Sequence, residues 1–109
     1  MDLVQGTLDM LVLRTLLFGP LHGYGIAKAI RGSSNEALAI EFGSLYPALK
    51  RLELKGLIAC KWETSEHNRR AKYYRLMAAG RKQLIREHSE WAEFVNAVSL
   101  VMGPNPGEV

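Results

Sequence analysis

A mainly α-helical fold with one small two-stranded β-hairpin and a long C-terminal helix is predicted by three observations. Apolar residues recur at helical spacing in four separate stretches, and strand-like alternation occurs only on the two sides of a polar segment, Thr64 to Arg70. The last apolar pattern, about Ala78 to Met102, repeats at spacings of 4, 3, 4, 3 and 4. At 109 residues the chain fits one domain with a small core, so completion by oligomerisation is expected.

The first helix is expected from Leu3 or Thr7 to Phe18, where Gly19 can take a left-handed cap and Pro20 blocks continuation. Leu8, Leu11, Val12 and Leu16 form one face, yet Met10, Leu13 and Leu17 make the opposite side apolar as well, so partners are needed around it. A second helix is expected from Gly23 to Ile30 or Arg31, with Tyr24, Ala27 and Ile30 at helical spacing and Gly32-Ser33-Ser34-Asn35 ending it. Glu36 to Phe42 reads as a connector. The third helix is placed from Gly43-Ser44 to Lys55-Gly56, with the Ser44 hydroxyl as cap and Pro47 tolerated in the first turn. Leu45, Leu49 and Leu52 set its core stripe, leaving Tyr46, Lys50, Arg51 and Lys55 outside.

Ile58, Cys60 and Trp62 then alternate with Ala59, Lys61 and Glu63, and Tyr74 and Leu76 alternate with Tyr73 and Arg75. The hairpin tip is expected to hold Arg69, Arg70 and Lys72. In the last helix, Leu84, His88, Trp91, Val95, Val98 and Met102 form a heptad seam, expected to be a dimer interface. Residues 1–77 are thus read as one helix-and-hairpin part, 78–102 as a dimerisation helix and 103–109 as a flexible tail.

Charge narrows the function. The net +3 decides little, but Lys50 to Arg86 holds 11 basic and three acidic residues, which favours a polyanionic partner over a merely solvated face. Cys60 is the single cysteine, which excludes an intrachain disulfide and a zinc site built from thiolates, and a reducing cytoplasm is the simplest setting. His22, His67 and His88 are too scattered to ligate a metal. Asp2, Asp9 and Arg14 break the N-terminal apolar run, so neither a signal peptide nor a membrane span is expected. No nucleophile-base pair, paired carboxylates or phosphate loop marks a catalytic site, and no cofactor is called for.

The order of helix, helix, basic helix and hairpin is that of a winged helix-turn-helix, in which a recognition helix enters the major groove. Ser44 and Tyr46 near its start can donate to phosphates or base edges, Lys50 or Arg51 can reach phosphates or guanine, and Arg69, Arg70 and Lys72 can hold flanking backbone or a narrow minor groove. The Tyr46 ring has an alternative place, packed under the wing. A rival function is a protein-interaction module whose basic face is solvated or docked on an acidic partner.

The motifs Gly6-Thr7-Leu8, His22-Gly23-Tyr24-Gly25-Ile26, Leu45-Tyr46-Pro47-Ala48-Leu49-Lys50-Arg51-Leu52, Gly56-Leu57-Ile58 and Arg69-Arg70-Ala71-Lys72-Tyr73-Tyr74-Arg75-Leu76, with Gly80 after them, resemble those of the PadR-like transcriptional regulators. The resemblance implies a homodimeric repressor on a pseudo-palindromic operator, released by a signal such as a small aromatic or drug-like effector. Relatives that stack flat ligands on a dimer-helix tryptophan make Trp91 an effector candidate, against plain interface packing. Met77 stands where the family usually has a helix-capping Thr, so a frayed start to the last helix is expected.

Overall fold

A computed structural model describes residues 5–108. Helix α1 (Gln5–Thr15) continues into a 3-10 turn (Leu16–Phe18), followed by strand β1 (Leu21–His22), helix α2 (Gly23–Ser33) and helix α3 (Phe42–Leu54). Strands β2 (Ile58–Thr64) and β3 (Arg70–Leu76) then lead into helix α4 (Ala78–Met102), and Pro106–Glu108 forms a short 3-10 turn. A first-helix onset at Leu3 lies outside the described residues.

The helical run ends at Phe18 as expected, but its last turn is 3-10 rather than α; Gly19 follows at φ 140°, a conformation that costs an L side chain heavily, and its N–H donates to the Leu16 carbonyl. Apolar on most sides, α1 packs against α2, α3 and α4, burying Leu8, Val12, Leu13 and Leu16. Helix α2 buries Gly23, Ile26 and Ile30 rather than the expected Tyr24, which stays exposed because the Gly23 side of the helix turns toward α3. Leu45, Ala48, Leu49 and Leu52 are all buried, which anchors α3 by its expected stripe. Each such leucine is worth about 1.5–3 kcal/mol, enough to fix which face of α3 looks outward.

Two details of α3 differ from expectation. It starts at Phe42 with Glu41 as an extended N-cap residue, so Ser44 sits inside the first turn and its hydroxyl caps nothing. Pro47 is the sixth helical residue, past the turn whose amides lack acceptors, and its missing N–H leaves the exposed Gly43 carbonyl to solvent.

The sheet has three strands, not two, in the order β1-β3-β2, all antiparallel. Leu21 and His22 pair with Tyr74 and Tyr73, and two residues are too few to display a period of two in sequence. His22 also caps α2: its Nδ1 accepts from the Gly25 N–H at 2.9 Å. The hairpin turn is ordered by its own hydrogen bonds, with Ser65 N–H donating to Arg69 O at 2.6 Å and Asn68 taking a left-handed φ of 56°.

The joint between wing and last helix is held by backbone. No side chain caps α4, as Met77 dictates, but the Met77 N–H donates to the Leu57 carbonyl at 3.0 Å. Gly80 packs so close that a Cβ there would lie 2.1 Å from the Leu57 oxygen. These contacts tie the joint to the start of β2 and compensate for the absent cap.

Helix α4 runs over the predicted span, about 37 Å at 1.5 Å per residue. Leu84, expected in the dimer seam, is instead 5% exposed in the core of its own chain, because α4 begins by packing on α1. Beyond Leu84 the helix still runs beside α1, where Gly6, Thr7 and Met10 share a groove with Glu87, Glu90, Trp91 and Phe94, and the described chain is 56 Å in its longest dimension. Trp91, Val95, Val98 and Met102 are all exposed, and so are Phe94, Leu100 and Val101.

Candidate nucleic-acid interface

Between the inner face of the hairpin and the starts of α2 and α3 lies an open cleft of about 970 Å³. Its lining brings together Tyr24, Tyr46, Trp62, His67, Arg69 and Arg70, with no carboxylate among the lining residues. Two helices supply one wall because Gly23 lets them meet: a Cβ on it would sit 2.9 Å from the Tyr46 hydroxyl. The Tyr46 ring is stacked on Phe42 at 5.7 Å between centroids. Tyr46 is thus both packed and available, since 51% of it remains exposed beside the cleft.

Ser44 and Lys50 lie on the exposed side of α3 as expected. Arg51 does not. Its Nη2 donates to Asp9 Oδ1 on α1 at 2.9 Å, with only 29% and 11% of the two side chains exposed, so this guanidinium is committed to holding α3 on α1. A cation already paired in a half-buried site is not available to a phosphate.

Of the wing cations, Arg69 is in the turn and Arg70 opens β3, both exposed. Lys72 is not at the tip. It stands opposite Trp62 in the sheet, with its ammonium 3.7 Å from Glu53 Oε1 on α3 and over the Tyr74 ring. Cys60 completes this cluster: its Sγ donates to Glu53 Oε2 at 2.8 Å. The thiol's hydrogen bond, aided by the Lys72 and Lys50 charges and opposed by burial, holds the Glu53 carboxyl below its ordinary value. The same bond, with burial, raises the Cys60 thiol, and burial raises the Tyr74 phenol.

The cluster therefore fastens the hairpin to α3 with Glu53 ionised and Cys60 protonated at neutral pH. The Glu53 contribution is complete above the ordinary carboxylate value of about 4.3 and is lost as pH falls through its lowered folded value. Glu53→Gln removes the anion that keeps the thiol protonated, so alkylation of Cys60 by iodoacetamide at pH 8 should become severalfold faster. An unchanged rate would show that the carboxylate does not control the thiol.

The sequence pattern does not single out Trp62 or Tyr24 as lining residues, nor Asp9 as the partner of Arg51. For Trp62 a signal existed: it is an aromatic residue in the strand leading to a basic turn, at the end of an alternation that outruns α3. Among the described residues no group of three or more His, Cys, Asp or Glu could hold a metal, and no helix is long and apolar enough to cross a membrane.

Residues 12–86 match the model of the transcriptional regulator PadR-like family. The chain belongs to that family. PadR-like proteins are transcriptional regulators rather than enzymes, which agrees with a cleft built of rings and cations. The chain is 32% identical over 101 residues, 93% of each sequence, to an uncharacterized protein of Lysinibacillus sphaericus. Its fold is similar to that of a transcriptional regulator from Clostridium thermocellum, with a TM-score of 0.82 and 30% identity over 91% of this chain and 93% of that one. It is also similar to a PadR family transcription regulator from Clostridium difficile, with a TM-score of 0.77 and 30% identity over 90% of this chain and all of the other.

Proposed function

We propose that this PadR-like regulator is a homodimeric repressor that binds a pseudo-palindromic duplex operator, with α3 in the major groove and the wing on the flanking backbone. The observation that carries the reading is the cleft itself: exposed rings and cations on α2, α3 and the hairpin, positioned by buried contacts behind them, with no carboxylate in its lining. Ser44, Tyr46, Lys50, Arg69 and Arg70 are the proposed contacts. Residues 1–77 would carry DNA binding, 78–102 dimerisation, and 103–109 a tail.

The exposed stripe Trp91, Phe94, Val95, Val98, Val101 and Met102 supports the dimer, since a row of large apolar side chains in water marks an association surface. Trp91 also borders a groove of about 300 Å³ with Gly6, Thr7, Met10, Glu87, Glu90 and Phe94. Its two carboxylates suit a planar, cationic drug-like effector, and quenching of Trp91 fluorescence by such a compound is the test of that part.

Selection from a random duplex pool tests the main reading. Recovery of a two-fold site with half-sites about one helical turn apart is expected. Affinity for it should fall steeply with salt, and the double change Arg69→Ala, Arg70→Ala should weaken binding to all sequences. In a homodimer it should also lower the log–log salt slope by about four, roughly one for each phosphate no longer neutralised. A flat salt response would favour the protein-interaction module instead.

A further inference from the structure

We infer that Trp62 is a DNA-contacting residue of the wing, which holds Arg70 ready and packs against the sugar wall of a narrow, A/T-rich minor groove beside the α3 site. This rests on the duplex-binding reading above and adds to it a residue and a sequence preference.

The inner face of the hairpin runs from Ile58, 2% exposed, through Cys60 to Trp62, 57% exposed. The first two positions are covered by the body, whereas the third has passed beyond it and faces the cleft. Trp62 does not stand alone: with Tyr24 and Tyr46, also exposed, it lines one cleft, and a shared patch of large rings in water marks an interaction surface. The close neighbour of Trp62 is a cation: the Arg70 guanidinium lies 5.7 Å from the indole centroid. Lys72, directly across the ladder, is drawn away by Glu53.

That arrangement has a chemical consequence. A guanidinium stacked on a ring has already lost much of its rotamer freedom, so less is lost when it binds. Cation–π attraction strengthens as water is removed, so a groove closing over the pair reinforces it. Phosphates alone would need only the cation; an adjacent indole adds an apolar surface that matches deoxyribose. A narrow A/T minor groove offers both, with deoxyribose walls close together and a negative potential that attracts arginine.

The test uses the full chain and the duplex recovered from the random pool, with A/T-rich or G/C-rich flanks. Trp62→Ala should lower affinity about tenfold and remove most of the flank preference, while Trp62→Phe keeps part of both. In a double-mutant cycle, Trp62→Ala with Arg70→Ala should be less than additive. The chain has two tryptophans, so the emission change on adding duplex should be present in the wild type and reduced in Trp62→Phe, a readout that stands even if Trp62→Ala folds poorly. Unchanged affinity and flank preference in Trp62→Ala, or equal emission changes in wild type and Trp62→Phe, would overturn the inference. Wild-type chain that selects no duplex would remove the operator reading together with it; wild-type binding with indifferent Trp62 variants removes this inference alone.

Discussion

Gly80→Ala should destabilise the fold strongly without changing any exposed residue of the cleft. The added methyl would lie 2.1 Å from the Leu57 carbonyl oxygen and 2.8 Å from Leu76 Cδ1. The first of these is backbone, which cannot swing aside as a flexible side-chain end can. Relief requires α4 to move off the start of β2, and that motion breaks the hydrogen bond from Met77 N–H to the same oxygen. Overpacking costs about 1–3 kcal/mol and a broken hydrogen bond a further 0.5–1.5, so roughly 1.5–4.5 kcal/mol is expected out of a total of about 5–15. The thermal midpoint should fall by about 10–20 °C. Gly32→Ala is the control, because nothing lies within 4 Å of a Cβ there, and it should melt within a few degrees of the parent. Equal melting of the two variants would mean that the joint gives way at no cost.

Val98→Asp should leave each chain folded and abolish tight operator binding. Val98 is exposed, so among the described residues the change removes little intrachain packing. In the proposed dimer it places a carboxylate in an apolar seam, close to its symmetry mate, where desolvation and like-charge repulsion act together. Without a second half-site engaged, the effective-concentration advantage disappears, a factor of about 10²–10⁴ in affinity. Sedimentation equilibrium and titration of a two-half-site duplex would register the two effects together. A variant that stays dimeric would move the interface elsewhere on the chain.

How far the sequence discloses this molecule depends on whether a feature is local. The span of α4 is legible because its repeat and the Gly103-Pro104 stop lie within one stretch, and the stripe on α3 is legible because i, i+4 and i+7 share a face. Strand β1 is not, since Leu21 and His22 form a strand only by pairing with Tyr74 and Tyr73. Charge misleads for the same reason. Arg51 and Lys72 count as free cations in a composition window, but Asp9, 42 positions before Arg51, and Glu53, on a different element from Lys72, neutralise them in space. Leu84 follows the heptad of its helix, yet the body of its own chain claims it. The basic window points to the side of the chain that holds the cleft, but two of its members, Arg51 and Lys72, are paired within the chain.

The pairing of Arg51 with Asp9 divides the labour on α3. Leu45, Ala48, Leu49, Leu52 and Arg51 secure the helix from behind, leaving Ser44, Tyr46 and Lys50 exposed. Variation at Ser44 or Lys50 therefore has little bearing on stability, whereas variation at Arg51 would leave Asp9, 8% exposed, without its partner. A lineage of such regulators can acquire new operators through a few surface substitutions while the frame beneath is inherited unchanged, so recognition can evolve faster than architecture.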